Sequence, residues 1–309
     1  MSNYVLGIGA ANVDISGKSK QPLIMRDSNP GFMHVSVGGV TRNVMENIAR
    51  LNYPCKLISA LGNDLHGQLI EEYSVKAGID MSHCLHVENQ NSSTYMAILN
   101  ETGNMELALS DMHILNQLTP EYIGKNIELV KQAKALSFDP CLSESVIQYI
   151  TEECSKYAPL FCDPVSSAYS ARLKPYVGKI HTLKPNTMEL AVLADMKVEN
   201  EYDMIQACRK LCAEGVRRIF VSRGDKGCMY YDHEGHLLFK HLKPVENMVN
   251  ASGAGDSFMA GIIYSYVNDF DIEKTINYGL ACGIAAINSE MTINPDLGID
   301  MIEKILERG

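Results

Sequence analysis

Short unbroken apolar runs alternate along this chain with stretches of helical period. Residues 4–8, Tyr-Val-Leu-Gly-Ile, read as a buried strand. Val44, Ile48 and Leu51 fall at i, i+4 and i+7, so residues 41–51 read as a helix. Residues 56–61 form a second strand ended by Gly62, and Leu69, Ile70 and Tyr73 give another helical face closed by Gly78. Residues 135–138, 160–162, 180–183 and 218–222 are further short strands with helical stretches between them. This alternation predicts an α/β fold: a mostly parallel sheet sandwiched between two helical layers.

Two segments break the rhythm. Residues 13–37 hold Gly17, Pro22, Pro30 and Gly31 and no helical period. Residues 94–99, a turn at 101–104 and residues 105–109 read as a hairpin. Together, roughly 12–37 and 92–112 predict a small β-sheet within a single domain spanning 1–309. Ligands of open α/β sheets sit beyond the carboxyl ends of the strands, where such a sheet would serve as a lid. Its exposed edges could pair with a second copy, so a homodimer through the lid is the expected assembly. Strand alternation sends only one of Tyr95 and Met96 to each lid face.

Composition narrows the function. The 309 residues include 27 Lys and Arg against 37 Asp and Glu, a net charge of −10, which argues against a broad nucleic-acid surface. A local anion site remains compatible with that balance. Apolar stretches are too short for a membrane span, and the N-terminus lacks the pattern of a secretory signal. The nine cysteines are odd in number, scattered and without a Cys-x-x-Cys pair, which fits reduced thiols and a cytoplasmic protein. Cys208 and Cys212 share a helix face and read as small hydrophobes, and the 16 methionines as core filler. No histidines form an i, i+4 metal pair.

The most informative segment is Asn250-Ala-Ser-Gly-Ala-Gly-Asp-Ser-Phe258, which leads into an apolar helix beginning near Ala254. Gly253 and Gly255 let the backbone approach a ligand closely. The first N–H groups of the helix carry the positive end of its dipole and form an anion site without a lysine. Asp256 would be repelled by a phosphate there unless it accepts a proton from an attacking alcohol. The alternative is that Ser252 caps the helix and Asp256 complements the dipole. A second Gly pair, Gly38-Gly39, opens the helix that carries Asn43. Asn186 and Glu189 share the start of another helix, as magnesium-water ligands or as a capping box. Ser222-Arg-Gly-Asp-Lys-Gly227 is a Gly-rich turn after a strand, a nucleotide loop or an ordinary hairpin turn.

Asn12-Val-Asp14, Gly38-Gly39…Asn43, Asn186-x-x-Glu189, Ser222-x-Gly-x-x-Gly227 and Gly253-Ala-Gly-Asp256 occur in an order and spacing that resemble the ribokinase-like (PfkB) carbohydrate kinases. The resemblance covers essentially the whole chain and implies ATP-dependent phosphorylation of a sugar or nucleoside hydroxymethyl group. Residues 9–17, 27–31, 38–43, 100–105 and 109–112 resemble the pseudouridine kinases, a branch of that family; Asp27-Ser-Asn-Pro-Gly31 and Ser110-Asp-Met112 are the more telling stretches.

The resemblance implies roles residue by residue. Asp256 would take the proton of the acceptor hydroxyl, with the amides of Gly253, Ala254 and Gly255 as the anion hole. Asn12, Asp14, Gly38, Gly39 and Asn43 match the positions around the ribose-type ring, and Asp139 matches a carboxylate near it. Asn186 and Glu189 would support ATP and its magnesium, Glu189 through water. Ser222, Gly224 and Gly227 would line the nucleotide side, and a loop around 281–288 would border adenine. Many relatives carry Asp six residues before the catalytic Asp, where it helps to bind a monovalent cation. Here that position is Asn250, so carbonyl oxygens would have to hold potassium without that charge.

Overall fold

The computed structural model describes residues 4–243 and 252–308. In chain order the strands are β1 (Val5–Ile8), β2 (Asn12–Ser19), β3 (Gly31–Gly38), β4 (Cys55–Ile58), β5 (Ala60–Gly62), β6 (Ile79–Asp80), β7 (Leu85–Val87) and β8 (Thr94–Leu99). They continue with β9 (Met105–Asp111), β10 (Ala135–Phe138), β11 (Leu160–Cys162), β12 (Thr182–Leu183), β13 (Arg218–Ser222), β14 (Cys228–Asp232) and β15 (Leu237–Lys240). The helices are α1 (Val40–Arg50), α2 (Leu65–Lys76), α3 (Pro120–Lys125), α4 (Ile127–Gln132), α5 (Glu144–Glu152) and α6 (Ser167–Leu173). After them come α7 (Thr187–Ala194), α8 (Glu201–Glu214), α9 (Ala254–Val267), α10 (Ile272–Ile287) and α11 (Ile299–Arg308).

The large sheet runs β15-β14-β13-β12-β11-β10-β1-β4-β6. It is parallel from β6 to β13, and β14 and β15 extend it antiparallel. Short apolar strands suit this arrangement because both sheet faces are covered. Neighbouring residues of one strand therefore join different cores. Leu6, Leu136 and Leu160 pack with Ile147 and Leu211 on one face. Val5, Ala135 and Phe161 pack with Ile48, Met259 and Ile263 on the other. The result is a three-layer α/β/α sandwich. Among the described residues, no helix is long and apolar enough to cross a membrane.

A separate sheet, β3-β2-β8-β9, is built from the two segments that break the alternation. In its register Asp14 lies opposite Ser36 and Tyr95, and Tyr95 opposite Ser110, so these residues share one face. Met96 is on the opposite face with Ile15, its register partner, which packs with buried Val13 and Val37.

Two local expectations change. Residues 281–287 are not a loop but the last two turns of α10. Small residues along α10 let it lie against α9: a methyl placed on Gly279, just before that stretch, would sit 2.2 Å from the Phe258 ring. The helix that starts at Ala254 has Gly253, not Ser252, as its cap residue, with φ 76° and no side-chain cap bond.

Candidate active site

Strands β1, β10, β11, β12 and β13 lie side by side and parallel, so the residues that follow them meet along one edge. These are Ala10, Asp139, Asp163, Lys184 and the Asn186–Ser222 pair. The amino end of α9 points at the same edge. Gly253 can serve there because its φ is positive and a methyl on it would lie 1.9 Å from the Thr292 carbonyl oxygen. The cap residue is a glycine and makes no side-chain cap bond, so among the described residues the amides of Ala254 and Gly255 can receive an anion.

Asp256 is half-buried in the first turn of α9. Its Oδ2 accepts a 2.8 Å bond from Asn43 Nδ2 of α1. The orientation of that amide is set from behind: Asn43 Oδ1 accepts from the buried Arg42 guanidinium at 3.2 Å, and Arg42 pairs with Glu46. A second tie joins the helices, from Ser257 Oγ to Asn47 Oδ1 at 2.9 Å, while Asn47 Nδ2 donates to the Asn43 carbonyl at 2.8 Å. Desolvation and the nearby Asp163 and Asp139 carboxylates push the Asp256 pKa up to about 8, against the Asn43 bond and the Lys184 charge. A carboxyl that protonates near neutral pH is suited to receive a proton.

Asn12 and Asp14 sit at the root of the lid. Asn12 is 3% exposed, and its Nδ2 donates to Asp14 Oδ1 at 2.6 Å. Burial raises the Asp14 pKa, with the Asn12 bond and Arg42 opposing. A methyl on Gly38 would lie 2.1 Å from Asp14 Oδ2, so glycine leaves room for the carboxylate. Gly39 turns the chain into α1 at φ 101°, and a methyl there would lie 2.5 Å from the Ala10 carbonyl oxygen.

Asp139 is tied into the backbone beside the site. It is fully buried, and its Oδ2 accepts from Ala10 N at 2.8 Å, Thr41 N at 3.3 Å and Thr41 Oγ1 at 2.6 Å. Its Oδ1 accepts from Cys141 N at 2.9 Å. A carboxylate occupied in this way fixes the turn from β1 and the start of α1, and so supports the Asn43 side of the site.

Asn186 and Glu189 make the capping box: Asn186 Oδ1 accepts from Glu189 N at 2.9 Å, and Glu189 Oε2 accepts from Asn186 N at 2.8 Å. Glu189 is also 4% exposed, and desolvation and Asp163 raise its pKa. A bridge joins Asn186 to Ser222. Beyond Ser222 the chain turns through Gly224–Lys226 into antiparallel β14. Gly224 has φ 60° and open space beside it, whereas a methyl on Gly227 would lie 2.2 Å from the Lys240 carbonyl oxygen. This turn is therefore a hairpin connection as well as a neighbour of Asn186. Asn250 lies outside the described residues.

Two charged residues of the site were absent from the sequence reading. Lys184 Nζ pairs with Asp163 Oδ2 at 2.9 Å, and both are buried. A signal existed: Asp163-Pro164 follows β11 just as Asp139-Pro140 follows β10. A cavity of about 950 Å³ opens at the far end of the lid, lined by Lys18, Met25, Phe32 and Leu107 among others; Asp27, Asn29 and Gly31 of the 27–31 stretch border it, but none of the residues expected around the ring, the phosphates or the base does. The chemistry converges at the strand ends instead.

The pfkB family carbohydrate kinase profile matches residues 2–297. Pseudouridine kinase from Escherichia coli (strain K12) is 33% identical over 306 residues, covering 99% of this chain and 97% of its own. Guanosine-inosine kinase from Exiguobacterium acetylicum is 26% identical over 296 residues, covering 93% and 95%. Arabidopsis thaliana ribokinase, solved with ribose and ATP, superimposes with a TM-score of 0.87 at 20% identity over the full length of both chains. The chain belongs to the pfkB family of carbohydrate kinases.

Proposed function

We propose that the chain transfers the terminal phosphoryl group of ATP to the 5′ hydroxyl of pseudouridine, giving pseudouridine 5′-phosphate and ADP. The observation that carries phosphotransfer is the juxtaposition at α9: a helix tip without a side-chain cap beside a carboxylate whose pKa is pushed up to about 8. Asp256 takes the hydroxyl proton. The amides of Gly253, Ala254 and Gly255 receive the charge of the phosphoryl group, each such donor contributing on the order of 3 kcal/mol to the barrier. Asp14 accepts from the vicinal hydroxyls of the ribose ring, while Asn12, Gly38, Gly39 and Asn43 shape its pocket. Asn186, Ser222, Gly224 and Gly227 form the nucleotide side.

Magnesium fits the charge of this edge. Asp139, Asp163, Glu189 and Asp256 meet one cation at this edge, Lys184, while the buried Arg42 behind Asn43 is paired with Glu46. Glu189 would hold the ion through water, and the ion supplies neutralisation of the triphosphate. Asn250 withholds the carboxylate of the monovalent-cation site, so the rate should persist when potassium is replaced by a bulky organic cation.

Pseudouridine is favoured by Asp27–Gly31 and Ser110–Met112 and by the 33% identity to a pseudouridine kinase. Ser36, Tyr95 and Ser110 share the lid face of Asp14 and supply the polar groups a base needs. ADP release against pseudouridine, uridine, adenosine, inosine, ribose and fructose tests the assignment. Pseudouridine should give the highest kcat/KM, and much faster turnover of ribose or adenosine would replace it with another pfkB kinase activity. Nucleoside binding without ADP release would mark a catalytically dead sensor. The exposed apolar Met33, Val35, Leu107 and Leu109 of the lid suit a second copy, and a monomeric mass in solution would remove that homodimer. Nine free thiols fit the cytoplasm.

A further inference from the structure

Lys184 has no task in the scheme above, yet its position is costly. It follows β12 and is 3% exposed. Placing an ammonium there is unfavourable unless it is paired. Asp163 supplies one partner at 2.9 Å, and an ammonium has three N–H donors. Burial opposes its charge, and Asp163, Glu189 and Asp256 outweigh burial, so the group stays protonated. A methyl built on Gly255 would lie 3.4 Å from Nζ and 3.8 Å from Asp163 Oδ2. The ammonium therefore stands directly at the helix tip, beside the amides available to an anion.

We propose that Lys184 is a catalytic residue whose ammonium hydrogen-bonds a non-bridging oxygen of the phosphoryl group during transfer, held in place by Asp163. The inference rests on the phosphotransfer reading and is independent of which acceptor is used. In the step, the acceptor oxygen forms a bond to the terminal phosphorus of ATP as the bond from that phosphorus to the bridging oxygen breaks. ADP leaves with the bonding pair, and the hydroxyl proton passes to Asp256. Lys184 donates hydrogen bonds and keeps its protons. Its fixed charge meets the negative charge of the transferred group without rearrangement.

The competing role is structural: Lys184 merely neutralises Asp163. Lys184→Met, Asp163→Asn and the double variant separate the two. The double variant removes both charges, so it also serves as the folded control should the single Met variant, with its unpaired carboxylate, fail to fold. If the ammonium acts on the phosphoryl group, Lys184→Met and the double variant both lose roughly 100- to 1,000-fold in kcat, with the acceptor KM within about threefold. If it only balances Asp163, the double variant recovers to within about threefold of native kcat, which overturns the proposal. A second arm needs no acceptor: tetrafluoroaluminate binding to the ADP-loaded protein. Its affinity should fall at least 30-fold in both Met-bearing variants while ADP affinity holds. Unchanged affinity, or no binding to the native chain, overturns the role of Lys184. A native chain that binds the anion but phosphorylates no member of the acceptor panel sinks the functional reading instead.

Discussion

Burial and the neighbouring carboxylates push the Asp256 pKa up to about 8, and that shift makes a kinetic prediction. The ionised carboxylate is the competent base, so activity is present above the pKa and is lost as pH falls through it. An unperturbed aspartate would hold activity down to about pH 4. Here half of the activity is already lost at about pH 8. At pH 6, about one molecule in a hundred carries the ionised group, so kcat/KM should fall about tenfold per pH unit and about 100-fold from its plateau. With both substrates well below saturation, this ratio reports the free enzyme, which is the state the structure describes. Coupled ADP release from pH 5.5 to 10 at constant ionic strength measures it.

The structure also says which way two variants move that limb. Asn43 donates to Asp256 Oδ2 and so favours the ionised form. Asn43→Ala should shift the limb to higher pH and lower the rate at pH 7 more than at pH 9.5. Asp256→Asn should cost roughly 100- to 10,000-fold in kcat and abolish the limb, with nucleoside binding retained. A native profile flat between pH 6 and 9, or a limb surviving in Asp256→Asn, would refute Asp256 as the proton acceptor.

Asp14→Ala removes the acceptor assigned to two ring hydroxyls and should weaken nucleoside binding about 100-fold by calorimetry, leaving ATP affinity within about threefold; equal nucleoside affinity would move the ring elsewhere. Gly39→Ala forces a side chain into φ 101° and towards the Ala10 carbonyl, and should cost on the order of 3 kcal/mol in urea unfolding, whereas an unchanged midpoint would show that the turn relaxes freely. Asp139→Ala strands the buried donors of Ala10, Thr41 and Cys141 and should cost roughly 3 kcal/mol or more; a loss below about 0.5 kcal/mol would refute that anchoring role.

The strand–helix alternation could be read from the chain because both periods are local. The same holds for the α9 tip, where two glycines, a carboxylate and an apolar helix lie within a few positions. Residues 281–287 continue α10 because Ala281, Ala285 and Ala286 favour the helix and outweigh Gly283, whereas the loop expected there rested on resemblance alone. The small size of these residues matters only once α9 is beside them: a methyl on Gly283 would already lie 3.5 Å from the Ala254 carbonyl oxygen. The roles of Asp139 and Glu189 could not be separated by residue type either. A carboxylate after a strand or in a first turn can face a ligand or tie the backbone. Asp139 ties the backbone, and Glu189 does so with Oε2 while remaining in the charged edge.

The proton affinity of Asp256 shows why the rest required three dimensions. Asn43 is 213 positions away in sequence, and the other groups that set its charge, Asp139, Asp163 and Lys184, follow three different strands. They act together only because β10, β11 and β12 are adjacent in the sheet and end at one edge. No local pattern encodes that adjacency. Moving any one of those strands would leave the glycine-flanked helix tip intact as an anion site. Losing the carboxylate after β10 or β11 would move Asp256 towards an ordinary, weaker base, whereas losing Lys184 after β12 would raise its proton affinity further, and burial would push upward in either case. The helix tip thus accounts for binding negative oxygen, whereas the order of the strands accounts for the base.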